Sequence, residues 1–343
     1  MRFSIRIKTI SFFFLFFFSC VALVAQTTTF YDFNTSGQLA TYFNGYGPQL
    51  GSISEQTTGG VSNSGSLSIP LAVTNAVFSS KDSYSMSAVG STYRFESVIR
   101  SQGGNGYSGL GFTTTSPTSS ISLTYPSSGG NTYRPASGIG VSVAGGGFIF
   151  HNGATDYLGY FNPTSVGQTY NPSITYVKTS ICSGPINSTN SDGYFSCASP
   201  DGWYKLVLIV EKTGNTTFNM HLEIWRCNSE GVLLDDEAAS IMELNGVTNT
   251  AIASAPSIYS YFNFSGIRFT RFDNYSISLS GGATVVTAGN PVVLTTAATQ
   301  NTNATSFALS GNVTAANGTV SERGFVYGTS TNPTIANNKL TSG

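Results

Sequence analysis

The chain holds two tryptophans, Trp203 and Trp225, and both fall in a pair of strand-like runs that also carries His221 and Glu223. Flat apolar rings beside hydrogen-bonding and ionisable groups suit a sugar, whose faces are apolar and whose rim is polar. Such groups act together only if they share a face, so the turn between the runs decides the question. A three-residue loop with Gly214 left-handed would set Glu211 opposite Asn215, Leu208 opposite Phe218, Leu206 opposite Met220 and Tyr204 opposite Leu222. The two-residue alternation of a strand then leaves Trp203, Lys205, Val207 and Ile209 beside Asn219, His221, Glu223 and Trp225 on the other face. Two readings of that face stay open: a recognition surface, or a surface packed under a tyrosine-rich segment with Lys205 and Glu223 as an ordinary ion pair.

The tyrosine-rich segment, residues 151–204, is the second candidate. Tyr157, Tyr160, Phe161, Tyr170, Tyr176 and Tyr194 alternate there with Asn, Gly and Ser. Rigid aromatics among small adaptable polar residues are the composition of recognition loops, although packing against the scaffold explains part of the set as well. Cys182 and Cys197 bracket its loosest part, and their pairing in an oxidising compartment would staple it, with Cys227 left as a buried thiol.

Other chemistries are not expected. A glycosidase needs two carboxylates across the scissile bond, whereas Asp235-Asp236-Glu237 is a consecutive triplet whose members cannot share one strand face and which suits a solvated loop. No Gly-x-Ser-x-Gly elbow sits between a strand and a helix, so Ser-His-Asp catalysis is not anticipated. Beyond Cys20, the three scattered cysteines and two histidines lack the ligand spacing of a zinc site.

Compartment follows from the N-terminus. Residues 1–25 run from Arg2, Arg6 and Lys8 through a phenylalanine block to Leu23-Val24-Ala25, a secretory signal cleaved before Gln26. The competing reading takes Cys20 as a lipidation site. No later stretch is apolar enough to span a bilayer, so the mature chain is expected to carry no transmembrane segment. A net charge of −1 with 9% charged residues excludes the basic footprint of a nucleic-acid binder. With 40% hydrophobic and 13% aromatic residues, the chain can bury enough surface to fold.

The elements that must position these residues are strands. Short β-branched and aromatic runs, at 28–33, 66–71, 93–101, 107–113, 139–143, 148–151, 174–178, 203–211, 217–226, 266–269 and 271–279, alternate with Gly, Asn and Ser clusters. Only residues 235–244 suggest a helical turn. The Gly, Ala and Thr-rich stretch after Ser280 separates residues 26–283 from residues 284–343.

From Phe30 to Leu279 the chain resembles the concanavalin A-like, laminin-G-type jelly rolls of exported bacterial proteins. The motifs are Phe30-Tyr31-Asp32-Phe33-Asn34, Asp201-Gly202-Trp203-Tyr204-Lys205-Leu206 and Arg271-Phe272-Asp273-Asn274-Tyr275-Ser276-Ile277. The resemblance implies an all-β, two-sheet antiparallel sandwich that binds glycans or mediates adhesion. Some members are glycosidases, but the Glu-x-Asp-x-x-Glu strand of the laminarinase-like ones is absent here. The tail, with Glu322-Arg323-Gly324-Phe325-Val326-Tyr327-Gly328, resembles the first strands of a fibronectin type III-like repeat, an incomplete immunoglobulin-like module. Asp32 and Asp273, on strands expected to pair, are candidates for a structural Ca²⁺, or each caps nearby backbone N–H groups. The expected function is therefore a non-catalytic carbohydrate-binding or adhesion module, secreted or on the cell surface, whose partner is a glycan or a host or cell-surface ligand. A divergent glycoside hydrolase or lyase and a structural spacer are the alternatives.

Overall fold

Strands dominate the computed structural model because β-branched and aromatic side chains recur with a period of two between short polar turns. The structure describes residues 27–70, 74–101, 106–116, 123–124, 134–143, 147–161, 171–178, 202–266 and 269–286, and the backbone of four tail strands. The expected signal peptide, Cys20, and the expected Cys182–Cys197 disulfide lie outside those residues. In chain order the strands are β1 (Thr27–Tyr31), β2 (Phe43–Tyr46), β3 (Ser54–Gln56), β4 (Ser66–Ser68), β5 (Thr74–Ser85), β6 (Thr92–Ser101), β7 (Gly106–Thr113), β8 (Leu123–Thr124) and β9 (Arg134–Pro135). They continue with β10 (Ile139–Val143), β11 (Gly147–Asn152), β12 (Thr155–Tyr160), β13 (Ile174–Lys178), β14 (Trp203–Lys212), β15 (Thr217–Cys227), β16 (Ser240–Thr248), β17 (Ile258–Gly266), β18 (Phe269–Ser280) and β19 (Thr284–Val286). The tail holds β20 (Val292–Gln300) paired with β21 (Phe307–Thr314), and β22 (Gly324–Tyr327) paired with β23 (Asn338–Thr341).

Two antiparallel sheets form a β-sandwich of the jelly-roll class. The first has the order β13-β16-β15-β14-β6-β18-β4-β3, with β1 also on β18. The second has the order β12-β11-β10-β7-β17-β5-β19, with β2 also on β5. No helix among the described residues is long and apolar enough to cross a membrane.

Alternation sends one face of each sheet into a common core. From the first sheet come Tyr204, Leu206, Leu208, Val210, Phe218, Met220, Leu222 and Ile224, all buried. The second sheet answers with Leu110, Phe112, Val141, Val143, Phe148, Phe150, Phe262 and Phe264. Rings join the layers. Phe262 of the second sheet stacks on Phe272 of the first at 4.6 Å between centroids and on Phe78 at 5.1 Å, with Tyr275 at 5.2 Å and Phe43 at 5.0 Å edge-on. Phe112 makes a second bridge, 4.7 Å from Tyr93 and 4.8 Å from Phe95, both edge-on.

The β14–β15 hairpin keeps the expected faces but not the expected register. Leu208 pairs with Leu222, Leu206 with Ile224, Val210 with Met220 and Glu211 with Asn219, each four residues beyond the expected partner. Four residues, 213–216, connect the strands, and the Thr217 carbonyl accepts from both Thr213 N (2.9 Å) and Gly214 N (3.3 Å). Gly214 is not left-handed. Its glycine serves a close approach instead, since a Cβ there would meet Thr217 Oγ1 at 2.2 Å. An even displacement preserves side-chain parity, which is why the face assignment survives the wrong pairing.

Residues 235–244 are not helical: 240–248 form β16, and the short helix (Thr250–Ser254) follows it, capped by Asn249, whose side chain accepts from Ile252 N at 2.9 Å. The first unit's pairing also passes the expected boundary at 283, because Thr284–Val286 add to β5.

Truncating the ring that bridges the layers is costly. Phe262→Ala is expected to lose about 3–5 kcal/mol of unfolding free energy in an equilibrium urea melt, as for other core aromatics. Phe30→Ala, at a side chain 56% exposed, should stay within about 0.5 kcal/mol. Equal losses for the two would contradict the packing described.

Candidate functional site

Register across β6, β14, β15 and β16 lays the first sheet's outer face out in rows. Arg94, Ile209, His221 and Glu243 stand opposite one another in one row, and Glu96, Val207, Glu223 and Ile241 in the next. His221 lies between two carboxylates, with Nε2 at 3.1 Å from Glu223 Oε1 and Nδ1 at 3.1 Å from Glu243 Oε1. The Trp225 indole N–H donates to Glu223 Oε2 at 2.9 Å. Glu96 takes Arg94 Nε at 2.6 Å and Lys205 Nζ at 2.7 Å, so Lys205 pairs with Glu96 rather than with Glu223 as the sequence suggested. The hydrogen bond to Glu223, stronger than the opposing effect of burial and aided by Glu243, raises the His221 pKa. The same contact, with Trp225 and Arg94, holds Glu223 below the usual carboxylate range. Burial works against the Glu96 carboxylate, but Lys205 and Arg94 outweigh it and lower its pKa too.

Of the expected recognition residues, His221, Glu223 and Trp225 are brought together on this half-exposed face. Trp203 is not available to a ligand: 3% exposed, it packs with Val61, Val98 and Cys227 in a small cluster of its own, with the Arg100 guanidinium 6.0 Å from the ring centre. Tyr157 sits on β12 and packs, half-buried, against the main core. Tyr160 is placed by its backbone opposite Gly147, and its side chain lies outside the described residues. Part of the expected long recognition segment is therefore sheet, with 155–160 in β12 and 174–178 in β13.

The second sheet's outer face carries a constellation that no sequence motif announced. Tyr261, Gly111, Gly140, His151 and Asp156 are successive cross-strand partners on β17, β7, β10, β11 and β12. Ser142, two residues from Gly140, shares that face. His151 Nε2 is 2.8 Å from Ser142 Oγ, and its Nδ1 is 2.8 Å from Asp156 Oδ1. Arg134 completes the cluster, bonded through Nη2 to Asp156 and through Nη1 to the carbonyls of Gly153 (2.8 Å) and Pro135 (3.2 Å). Ser142, His151 and Arg134 are buried, and Asp156 is 15% exposed at its side chain. Burial, reinforced by Arg134, pushes the His151 pKa down to about 4 against the pull of Asp156. The Asp156 carboxylate is itself kept low by His151 and Arg134 despite its burial.

Asp32 and Asp273 act as caps. Asp273 Oδ2 accepts from Val61 N (2.8 Å) and Ser64 Oγ (3.3 Å), and Oδ1 from Asn274 N (2.7 Å). Asp32 accepts from Asn34 N (3.1 Å), Asn34 Nδ2 (2.9 Å) and Gln38 Nε2 (3.0 Å). Burial raises Asp273 to about 6. Among the described residues no group of three or more His, Cys, Asp or Glu is placed to hold a metal ion. The acidic triplet lies in a loop as expected, with Asp235 bonded to Arg226 and Glu237 to Lys178 at 2.7 Å.

No protein-family model matches the chain, and no curated protein matches it. Among solved structures it is similar to a Bacillus subtilis protein of unknown function with a galectin-like fold, at 11% identity and a TM-score of 0.37, covering 73% of this chain and 94% of that one. The marine PL-14 alginate lyase from Aplysia kurodai aligns at 14% identity and a TM-score of 0.35 over 70% of this chain and 91% of that one. The VIP36 exoplasmic/lumenal domain in its Ca²⁺/Man3GlcNAc-bound form aligns at 11% identity and a TM-score of 0.30 over 70% and 82%.

The two histidines give opposite pH signatures. An unfolded histidine titrates near about 6.5, so His151, depressed to about 4 when folded, makes the unfolded state the better proton acceptor between those values. Its contribution is present above pH 6.5 and falls away by roughly 3 kcal/mol as the pH drops to about 4. His221, raised when folded, contributes below about pH 6.5 and loses that contribution as the pH climbs through its raised value. Urea midpoints from pH 4 to 8 should therefore show an acid limb that His151→Gln flattens and His221→Gln leaves in place. An acid limb unchanged in His151→Gln would refute the assignment.

Proposed function

We propose that the jelly roll is a carbohydrate-binding module of a secreted or cell-surface protein, and that it recognises glycan through the outer face of its first sheet. The observation that carries this is the fixed Trp225 ring, half-exposed and tied through its indole N–H to Glu223, with His221 and Glu243 alongside on rigid strands. A ring held in place offers a stacking platform at low entropic cost, and carboxylates already oriented by neighbours keep lone pairs for sugar hydroxyls. Binding rather than cleavage at this face is supported by its electrostatics. A glycosidase acid needs a raised pKa, whereas Glu96 and Glu223 are both lowered by their cationic partners. The export signal read in residues 1–25 and the fibronectin type III-like resemblance of the tail accord with a module of a larger surface protein.

Trp225→Ala should reduce retention on a glycan array at least tenfold while moving the melting temperature by no more than about 4 °C, a loss of roughly 1 kcal/mol at most. Trp203→Ala should do the reverse, lowering stability by roughly 3–5 kcal/mol as for a buried aromatic. A parent chain that retains no glycan, together with a sharp loss of stability in Trp225→Ala, would make this face structural.

A further inference from the structure

The second sheet's outer face points to chemistry of another kind. We propose that Ser142, His151 and Asp156 form a nucleophile, base and orienting carboxylate that hydrolyse small acyl esters. Three short strands in succession, β10, β11 and β12, place the three residues, and the ladder His151 opposite Asp156 and Gly140 opposite His151 leaves no freedom in their order. The tautomer follows from the partners. The Asp156 carboxylate accepts from Nδ1–H, so Nε2 holds a lone pair and the Ser142 hydroxyl donates to it. That is the arrangement in which a serine oxygen is readied to attack, and it is recognised by geometry rather than by sequence order. Arg134 fixes the carboxylate from behind while holding two backbone carbonyls of the adjoining turns.

A second feature of the same face is a tyrosine packed against its glycines. Tyr261 lies over bare backbone: a Cβ on Gly111 or Gly138 would meet its ring at 3.0 or 3.3 Å, and one on Gly140 would meet its hydroxyl at 2.6 Å. Its hydroxyl and Arg134 Nε are buried and find no hydrogen-bond partner among the described residues. Here a hydroxyl donor is held against Gly140, the cross-strand partner of His151 and two residues from Ser142. The Asn263 carboxamide and Ser142 Oγ meet in the same way above Gly109, at 2.2 and 2.5 Å from the position of the missing Cβ.

Enclosure sets the substrate class. Ser142 and His151 are fully buried, while the Asp156 side chain, on the edge strand β12, is 15% exposed. The substrate class is accordingly a short acyl group, such as the acetyl of an O-acetylated sugar or other alcohol, whose entry needs the least local opening of the sheet edge. In the first half-reaction the Ser142 oxygen bonds to the acyl carbon as its proton passes to His151 Nε2. The tetrahedral oxyanion then collapses, the ester C–O bond breaks, and the departing alkoxide takes the proton from Nε2. Water repeats the sequence on the acyl-serine, giving its proton to Nε2, and collapse returns that proton to Ser142 and frees the carboxylic acid. Ester and water become alcohol and acid, with nothing oxidised or reduced.

The test uses the full mature chain and p-nitrophenyl acetate. A burst of p-nitrophenolate approaching one equivalent is expected, with one acetyl group found by peptide mass mapping on Ser142. Ser142→Ala should abolish both, and Asp156→Asn should slow acylation by at least about 100-fold, as expected when the base loses its orienting partner. The rate should fall on acidification through an inflection near pH 4, set by His151. Absence of acetyl on Ser142 in the folded parent between pH 5 and 9 would overturn the proposal without reference to any variant. Acylation of Ser142 at an undiminished rate in His151→Gln would overturn it as well.

Discussion

Ring-to-ring contact across the sandwich is the constraint on which the rest of the molecule depends. Phe262 against Phe272, and Phe112 against Phe95 and Tyr93, lock the inner face of one sheet to that of the other. Strand side chains alternate strictly, so fixing which residues point inward fixes which point outward. The outer rows of both sheets, and every functional contact in them, are set by the choice of residues that fill the space between the layers. A one-residue slip in β11 would drive Phe148 and Phe150 out of the core and His151 into it.

The two outer faces use the same construction for different ends. On the first sheet the rows carry both signs of charge, half-exposed, and neighbouring groups keep the carboxylates ionised and His221 protonated to higher pH. On the second, glycines at 109, 111, 138 and 140 strip the strands of side chains and let Tyr261 and Asn263 settle onto the backbone. Burial then dominates, and His151 is held neutral. One surface leaves its ionisable groups in contact with water, and the other withdraws them from it.

Much of the fold was legible from alternation alone. Strands β10 and β13 have the bounds expected from their β-branched runs, and the β14–β15 faces came out correctly because parity tolerates an even error in register. Strands with polar or small residues on both faces escaped notice. β5 carries Ser79, Ser80 and Ser83, all buried by position in the sheet rather than by their own hydrophobicity. Trp203 belongs to the outward parity yet is buried, because Val61, from a loop distant in sequence, packs onto it together with Val98. The Ser142, His151 and Asp156 set could not be found by motif, since its spacing comes from two hairpin registers and not from a fixed local turn. A search for polar residues of outward parity on adjoining short strands would have found it.

Cys227 shows how the order of folding enters. The thiol closes β15 inside the cluster beneath Trp203, and burial pushes its pKa up to about 12. Almost none of it is thiolate at neutral pH once that cluster has formed, and exchange with a disulfide proceeds through thiolate. In an oxidising compartment the chain then has a limited interval in which Cys227 can join the wrong partner, ending when Trp203, Val61 and Val98 close over it. Fidelity of any pairing between Cys182 and Cys197 becomes a race between hydrophobic closure at one end of a hairpin and oxidation in the segment that leads into it.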